Sequence, residues 1–229
     1  MANLTQLRIL EGLDGFLLVD KPVNIPFSSV IKTVKRMFGL VKVGHGGALD
    51  AQSSGLMVLL IGDANKFTDQ VMGGDREYEG TIDTTYVTNT GDSQGEKLES
   101  NVGAGEWSVD LAQFKGDVFQ TEPKFAAIRR EGTADYEVVD TGEHRQFLGH
   151  VYKLSLEDGV RERKFYLKAT KNVLPRALAL DMGATLVSLR RTRQWKFELK
   201  DAVPFDRILN TAPTDFASLV LPIGAALRA

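Results

Sequence analysis

The stretch that decides the fold is residues 43–61, VGHGGALDAQSSGLMVLLI. Its second part, residues 56–61, is a continuous apolar run of strand length, which predicts a buried strand. Its first part belongs to a glycine- and serine-rich loop, residues 44–55, whose backbone can approach a ligand closely or adopt positive φ. The single acid in this loop is Asp50. A buried strand is therefore preceded by a loop that presents one carboxylate.

Two interpretations of Asp50 follow from its surroundings. No other acid occurs in residues 21–62, and Lys42 and His45 are close by in sequence. A lone carboxylate between basic groups suits chemistry on a polyanion, because the cations hold phosphates while the anion reacts. Asp also commonly caps a turn, and Asp50 directly precedes a short polar segment, residues 51–54. The residues alone leave both interpretations open.

The flanking segments predict one strand and one helix before this loop. Residues 15–20, GFLLVD, predict a buried strand that ends before Pro22. Apolar residues recur at helical spacing over residues 30–38, with basic residues on the opposite face. We expect this helix to be capped by Ser28 or Ser29 and to end at the glycine in position 39.

The remaining patterns predict an α+β fold. Strands are predicted over residues 78–87, 151–156, 164–169, 186–191 and 195–199. Helices are predicted from residue 63 and over residues 108–114 and 174–186. Because strands and helices do not alternate as βαβ units, we expect a large mixed, mostly antiparallel sheet flanked by helices.

Composition is that of a cysteine-free globular protein. Of 229 residues, 43% are hydrophobic and 25% charged, which excludes a mostly disordered chain. The absence of cysteine excludes disulfides and thiolate metal sites and is typical of the reducing cytoplasm.

Asp83, Asp92 and Glu96 lack the spacing of a calcium loop, so we expect a solvated acidic loop and no metal site. The longest aliphatic run is too short to cross a membrane.

Charge is unevenly distributed, although the net charge is only −2. Residues 21–49 contain five basic residues and no acid, and residues 161–200 contain eleven basic and three acidic residues. Residues 71–117 contain ten acidic and three basic residues. Clustered cations favour a phosphate-bearing partner such as nucleic acid. The alternative is that these are solvated faces of unrelated elements.

Several motifs, taken together, resemble the tRNA pseudouridine synthase B (TruB) family over about residues 15–221. In chain order they are GFLLVDKP, VKVGHGGALDAQSSGLMVLLIGDANK, REYEGTI, VTNTGDSQGE, FQTEPKFAAIRREG and KNVLPRALALDMGATLVSLRRTRQWKF. The resemblance implies the pseudouridine synthase fold, with a single catalytic domain over residues 1–229. It also implies that the C-terminal PUA-type RNA-binding domain usual in the family is absent.

The resemblance implies an enzyme that isomerises uridine to pseudouridine at position 55 in the T loop of tRNA. We expect no cofactor, because the reaction has no redox step. The expected partner is the T-arm stem-loop of tRNA, bound by a cytoplasmic monomer that has no membrane partner. Asp50 matches the catalytic aspartate, Tyr78 the active-site tyrosine and Arg176 the arginine that pairs with the aspartate. The positions expected to lie near the flipped base are Lys21, His45 and Leu174.

Some positions depart from the family pattern. The loop carries Ala48 and Ala51 in place of threonine and proline, and Glu122 and Phe125 replace proline and tyrosine. Leu174 occupies the place of a second active-site tyrosine, followed by Pro175. A leucine keeps apolar contact with a base but loses a hydroxyl group. The segment Trp195-Lys196 replaces the usual glycine region before the last strand.

Two other functions stay open. One is a catalytically weakened TruB-like protein that binds tRNA and acts as a folding chaperone, which the change at Leu174 motivates. The other is a synthase that acts on another RNA through a guide-dependent complex. Retention of Asp50, Tyr78 and Arg176 together favours the tRNA-modifying enzyme, since a chaperone needs a basic surface and has no need of these three side chains.

Overall fold

The chain forms two compact units, each built on β-sheet. A computed structural model describes residues 12–98, 107–121, 146–157 and 159–228. The terminal unit comprises Met1–Gly74 and Arg190–Ala229, and the central unit comprises Asp75–Leu189. Strand pairs are mostly antiparallel in both, with a few short helices. The predicted α+β class with a mixed, mostly antiparallel sheet is confirmed.

The elements are numbered here in chain order. The strands are β1 (Gly15–Lys21), β2 (Val43–His45), β3 (Ser54–Ile61), β4 (Arg76–Asp83), β5 (Gly116–Thr121), β6 (Gln146–Leu156), β7 (Glu162–Ala169), β8 (Thr185–Gln194), β9 (Phe197–Glu198), β10 (Val203–Pro204) and β11 (Leu221–Pro222). The α-helices are α1 (Phe27–Met37), α2 (Thr68–Gly73), α3 (Pro175–Asp181), α4 (Phe205–Leu209) and α5 (Ile223–Arg228). Within the described ranges, no helix combines the length and apolar character that crossing a membrane requires.

The terminal unit is organised around β1 and β3. These strands pair antiparallel along their whole length, from Gly15 opposite Ile61 to Lys21 opposite Gly55. Strands β2 and β8 also pair with β3, and β10 and β11 pair with β1. One face of this sheet packs against α1, and the other packs against aromatic residues around β9. Burial on both faces explains why β1 and β3 are continuous apolar runs in the sequence.

The central unit is an antiparallel sheet with one covered face. Strand β4 pairs with β7, β7 with β6, and β6 with β5. Buried residues of these strands form one core cluster with α3, and Tyr78 belongs to it. Burial alternates along β5 and β7, as expected where only one face is covered. The predicted pairing of residues 151–156 with residues 164–169 is confirmed.

Two predicted helix boundaries are wrong. Helix α1 begins at Phe27 directly after Pro26, and no side chain caps it, so neither Ser28 nor Ser29 is the N-cap. The predicted helix over residues 174–186 ends at Asp181. Gly183 then has a φ of 69°, a left-handed conformation that breaks the helix, and β8 follows at once.

The strand ends differ from the predictions for local reasons. Strand β4 ends at Asp83, because the Asp83 carboxylate accepts hydrogen bonds from the amide and hydroxyl of Thr85 and turns the chain. The predicted loop over residues 44–55 includes the short strand β2, which pairs with β3. The predicted hairpin near residue 195 is confirmed, since Arg193 of β8 pairs with Glu198 of β9. Glu122 and Phe125 lie outside the described residues.

Candidate active site

Asp50 lies between β2 and β3, on a turn that closes through its main chain. The Ser53 amide donates to the Asp50 carbonyl at 3.0 Å, and the Asp50 side chain is half-buried. Gly47 and Gly55 have φ values of 134° and 100°, a region that residues with a side chain rarely adopt. The glycines therefore set the path of the loop around Asp50. The catalytic role of Asp50 stays a prediction.

Lys21 supports this loop from the buried end of β1. Its ammonium group is 0% exposed and donates to the carbonyl oxygens of Pro22 at 2.9 Å, Ile25 at 2.8 Å and Ala51 at 3.2 Å. Burial lowers the pKa of Lys21 to about 8; the negative charge of Asp50 opposes this shift, and the positive charge of Arg191 adds to it. Lys21 is thus bound to the residue that follows Asp50, and its contact with a substrate stays a prediction.

His45 is the last residue of β2 and faces the start of the same loop. Its Nδ1 atom accepts a hydrogen bond from the Gly47 amide at 3.1 Å, which defines Nδ1 as unprotonated in this arrangement. The Phe27 ring lies edge-on against the imidazole, with ring centroids 5.3 Å apart. His45 therefore helps to fix the glycine segment that leads to Asp50, and its role towards a substrate stays a prediction.

In the central unit, Arg176 is paired with a carboxylate. The guanidinium Nη1 lies 3.1 Å from Oδ2 of Asp92, and both side chains are mostly buried, at 13% and 18% exposed. The other oxygen of Asp92 accepts hydrogen bonds from the Thr90 hydroxyl at 2.8 Å and from the main-chain amide of Gln94 at 3.0 Å. Asp92 is therefore held by its own loop as well as by the arginine. The pairing of Arg176 with Asp50 stays a prediction.

The expectation of a solvated acidic loop is wrong for two of its three residues. Asp83 is 1% exposed and accepts from Arg161 Nε at 2.8 Å in addition to its bonds with Thr85. Asp92 is held by its own loop and by Arg176, whereas Glu96 is exposed. Sequence analysis missed Asp92, although one signal was present: Asp92 lies within a motif, VTNTGDSQGE, that the chain shares with the family pattern.

Leu174 is held by its main chain at the start of α3. Its amide donates to Oε1 of Gln120 at 2.8 Å, and its carbonyl accepts from Nε2 of the same side chain at 3.3 Å. Pro175 follows in the first turn of the helix, where a missing N–H is harmless. Burial raises the pKa of Asp181 at the other end of α3, and a hydrogen bond from Gln120 partly opposes this. Gln120 therefore braces the helix that carries Arg176.

Tyr78 lies on β4 and is only 5% exposed. It faces Leu167 across the strand pair and shares a core cluster with Val173 and Leu178 of the α3 region. The predicted site residues thus form two groups. Lys21, His45 and Asp50 surround one loop of the terminal unit, and Tyr78, Leu174 and Arg176 belong to the α3 side of the central unit.

Solved structures share this fold. A chain in the crystal structure of a Cbf5-Nop10-Gar1 complex matches with a TM-score of 0.66 at 20% identity, covering 96% of this chain and 63% of that one. A chain in the structure of an H/ACA RNP bound to a substrate RNA containing 2'-deoxyuridine matches with a TM-score of 0.65 at 18% identity, covering 97% of this chain and 62% of that one. This chain spans less than two thirds of those solved chains.

Sequence comparison assigns the class and then the family. Residues 35–166 match the TruB family pseudouridylate synthase (N terminal domain). The tRNA pseudouridine synthase B of Opitutus terrae is 33% identical over 93% of this chain and 94% of that protein. The tRNA pseudouridine synthase B of Methylobacillus flagellatus is 30% identical over 96% of this chain and 78% of that protein. The chain is a pseudouridylate synthase by class. It belongs to the TruB family.

Proposed function

We propose that this protein isomerises uridine to pseudouridine at position 55 in the T loop of tRNA, with Asp50 as the essential carboxylate. The observation that carries the proposal is the Asp50 loop, in which one half-buried acid is presented between carbonyl groups that buried side chains hold in place. Family membership and relatives that are named tRNA pseudouridine synthase B support the same substrate class.

The reaction needs one anion at the sugar or base. The N1–C1′ bond breaks, the base turns, and a C5–C1′ bond forms while C5 loses a proton and N1 gains one. Asp50 can serve this sequence by attack at C1′, by addition to the base or by taking a proton from C2′. All three routes require an ionised carboxylate. A guanidinium near Asp50, which we assign to Arg176, would pair with this carboxylate and orient it for the reaction.

The target base must leave the stack before it reacts. We assign its aromatic contact to Tyr78 and its apolar contact to Leu174, and we assign Lys21 and His45 to the fixing of the Asp50 loop. Exposed cations on α1 (Lys32, Lys35 and Arg36) suit phosphates of the T-arm stem-loop, so tRNA affinity should fall steeply with salt. Binding as a monomer and a cytoplasmic location belong to this proposal.

Incubation with an unmodified tRNA transcript, followed by mapping of pseudouridine, tests the proposal. We expect modification at position 55 by the unaltered protein and none by the Asp50→Asn variant. A transcript with cytidine at position 55 is the matched substrate control. Absence of pseudouridine together with faster tRNA folding would instead support the chaperone function that the departure at Leu174 motivates. Modification of a different RNA only would support the guide-dependent alternative.

A further inference from the structure

We infer that Arg191, assisted by Gln194, is a positioning residue that holds the Asp50 loop in its reactive shape. The inference rests on the proposed role of Asp50. Both side chains lie on β8, at 1% and 0% exposed, so neither can contact an RNA in this arrangement. Their N–H groups donate to main-chain oxygens of the terminal unit.

Arg191 links the loop to the strand that follows it. Its Nε donates to the Leu56 carbonyl of β3 at 2.7 Å, and Nη1 and Nη2 donate to the carbonyls of Ala48 at 3.3 Å and Gly47 at 3.4 Å. These acceptors lie on both sides of Asp50 in the sequence. One planar group therefore fixes the distance between the approach to Asp50 and the exit from it.

Gln194 extends the same contact towards the start of the loop. Its Nε2 donates to the Gly46 carbonyl and to the Val71 carbonyl, the latter at 3.0 Å. Lys21 completes the set from β1 through the Ala51 carbonyl. The carbonyls of Gly46, Gly47, Ala48 and Ala51 are thus all held by buried side-chain donors, with Asp50 between them.

The geometry explains why the donor is a guanidinium. Arginine carries five N–H donors in a rigid fork, whereas the three donors of lysine converge on one nitrogen. At position 191 three separate nitrogens of one rigid group meet the Leu56 carbonyl and the two loop carbonyls, so a lysine there would not reproduce the same arrangement of donors. Gly55 makes the approach possible, because a Cβ there would strike the Arg191 backbone. The pairing of Gly55 with Arg191 in the sheet sets this register.

The test compares Arg191→Lys, Gln194→Met and the surface control Arg207→Lys. Single-turnover pseudouridine formation at saturating tRNA gives a rate constant and an amplitude, and a binding assay gives the tRNA Kd. We expect Arg191→Lys to lower the rate constant about 100-fold and Gln194→Met about 10-fold, because small misplacement of a reacting group is costly. The amplitude and Kd should stay within about twofold of the unaltered protein.

A merely structural role predicts another pattern. Loss of folded protein would lower the amplitude and leave the rate constant unchanged, which would overturn the inference. Amide hydrogen exchange over residues 46–53 provides a readout that does not depend on activity. We expect faster exchange there in Arg191→Lys and no change in Arg207→Lys. If the unaltered protein makes no pseudouridine, the proposed function fails, and unchanged exchange in Arg191→Lys then also overturns the positioning inference.

Discussion

Arg191 and Arg176 use the same chemical group against two kinds of acceptor. Arg191 donates to three main-chain carbonyls, whereas Arg176 faces the Asp92 carboxylate at 3.1 Å. A buried cation on carbonyl dipoles holds a backbone in one shape. A guanidinium that faces a carboxylate is oriented by the opposite charge. Because it carries five N–H donors, it can also bind a second carboxylate. The Asp50 loop is held by carbonyl contacts within the terminal unit, and Arg176 is held by a carboxylate within the central unit.

Replacement of Asp50 by asparagine should have the largest effect. Asparagine keeps the shape of the side chain and the turn, which closes through the main chain. We expect the single-turnover rate constant to fall by about 10³-fold or more, as for other essential reacting groups. The tRNA Kd should change by less than about threefold, because phosphate contacts come from cations elsewhere.

The matched control for this variant is Asp63→Asn, which alters an exposed aspartate of the same unit that pairs with Lys66. It should retain full activity. Turnover by Asp50→Asn at a rate close to that of the unaltered protein would remove Asp50 from the chemistry and return it to the role of a turn residue.

Changes at the Arg176–Asp92 pair should come next. We expect Arg176→Ala to lower the rate constant about 100-fold, since Asp50 would lose its proposed charge partner. Asp92→Asn should lower it about 10-fold, because the arginine is then oriented only by neutral groups. Single-turnover pseudouridine formation at saturating tRNA measures both rate constants.

Arg161→Ala provides the control for loss of an arginine–aspartate pair. Arg161 pairs with Asp83 at 2.8 Å in the same unit and is largely exposed. This variant should lose stability without losing activity. An equal loss of rate in Arg161→Ala and Arg176→Ala would show that the effect is general to the central unit, and the comparison of the two arginines would then fail.

The buried ammonium of Lys21, which donates to main-chain carbonyls, should make the stability of the fold depend on pH. Its pKa is about 8 in the folded protein and 10.5 when unfolded, so the unfolded chain holds more protons between these values. Deprotonation therefore favours the folded state, and the free energy of unfolding should rise with pH in this window. Relative to Lys21→Met, the rise should reach up to about 3 kcal/mol. Denaturant unfolding of both proteins at pH 7 and pH 10.5 measures it, and parallel curves would contradict the assigned burial of charge.

Sequence patterns predicted the class of fold and the Asp50 loop because both depend on local order. A buried strand needs a continuous apolar run, and a loop that approaches a ligand needs glycine. The acceptors of Arg176 and Arg191 could not be predicted in this way. Asp92 lies 84 positions before Arg176, and the Leu56 carbonyl lies 135 positions before Arg191. Pairing of β3 with β8 brings Leu56 to Arg191, and the contact of α3 with a distant loop brings Arg176 to Asp92. No local pattern records either contact.

Trp195 shows the opposite case, in which a bulky residue holds a backbone conformation that glycine would adopt freely. The family pattern has glycine in this region, and Trp195 has a φ of 54°, within the left-handed region that glycine adopts freely. The indole packs against Phe16 and Phe197, with ring centroids 6.5 Å and 5.3 Å apart. Aromatic packing thus stabilises a backbone shape that costs about 1 kcal/mol for a bulky residue. The turn after β8, and with it Gln194, keeps its place.

Leu174→Tyr should have the smallest effect, and it tests whether the central unit tolerates a change of side chain where its main chain is fixed. Gln120 holds both main-chain atoms of Leu174, and Pro175 begins α3. The position of Arg176 should therefore not depend on the side chain at 174. Tyrosine restores an aromatic surface and a hydroxyl, while Tyr78 already supplies one aromatic contact in our proposal. We expect the single-turnover rate constant to stay unchanged or rise by up to about threefold, with an unchanged tRNA Kd.

Leu174→Met, which keeps an apolar side chain of similar volume, is the matched control and should leave both values unchanged. A loss of activity in Leu174→Tyr alone would mean that the pocket has closed around leucine. If the unaltered protein were inactive and Leu174→Tyr were active, the chaperone function would replace the proposed enzymatic function. Arg176 would then have no catalytic role in this chain.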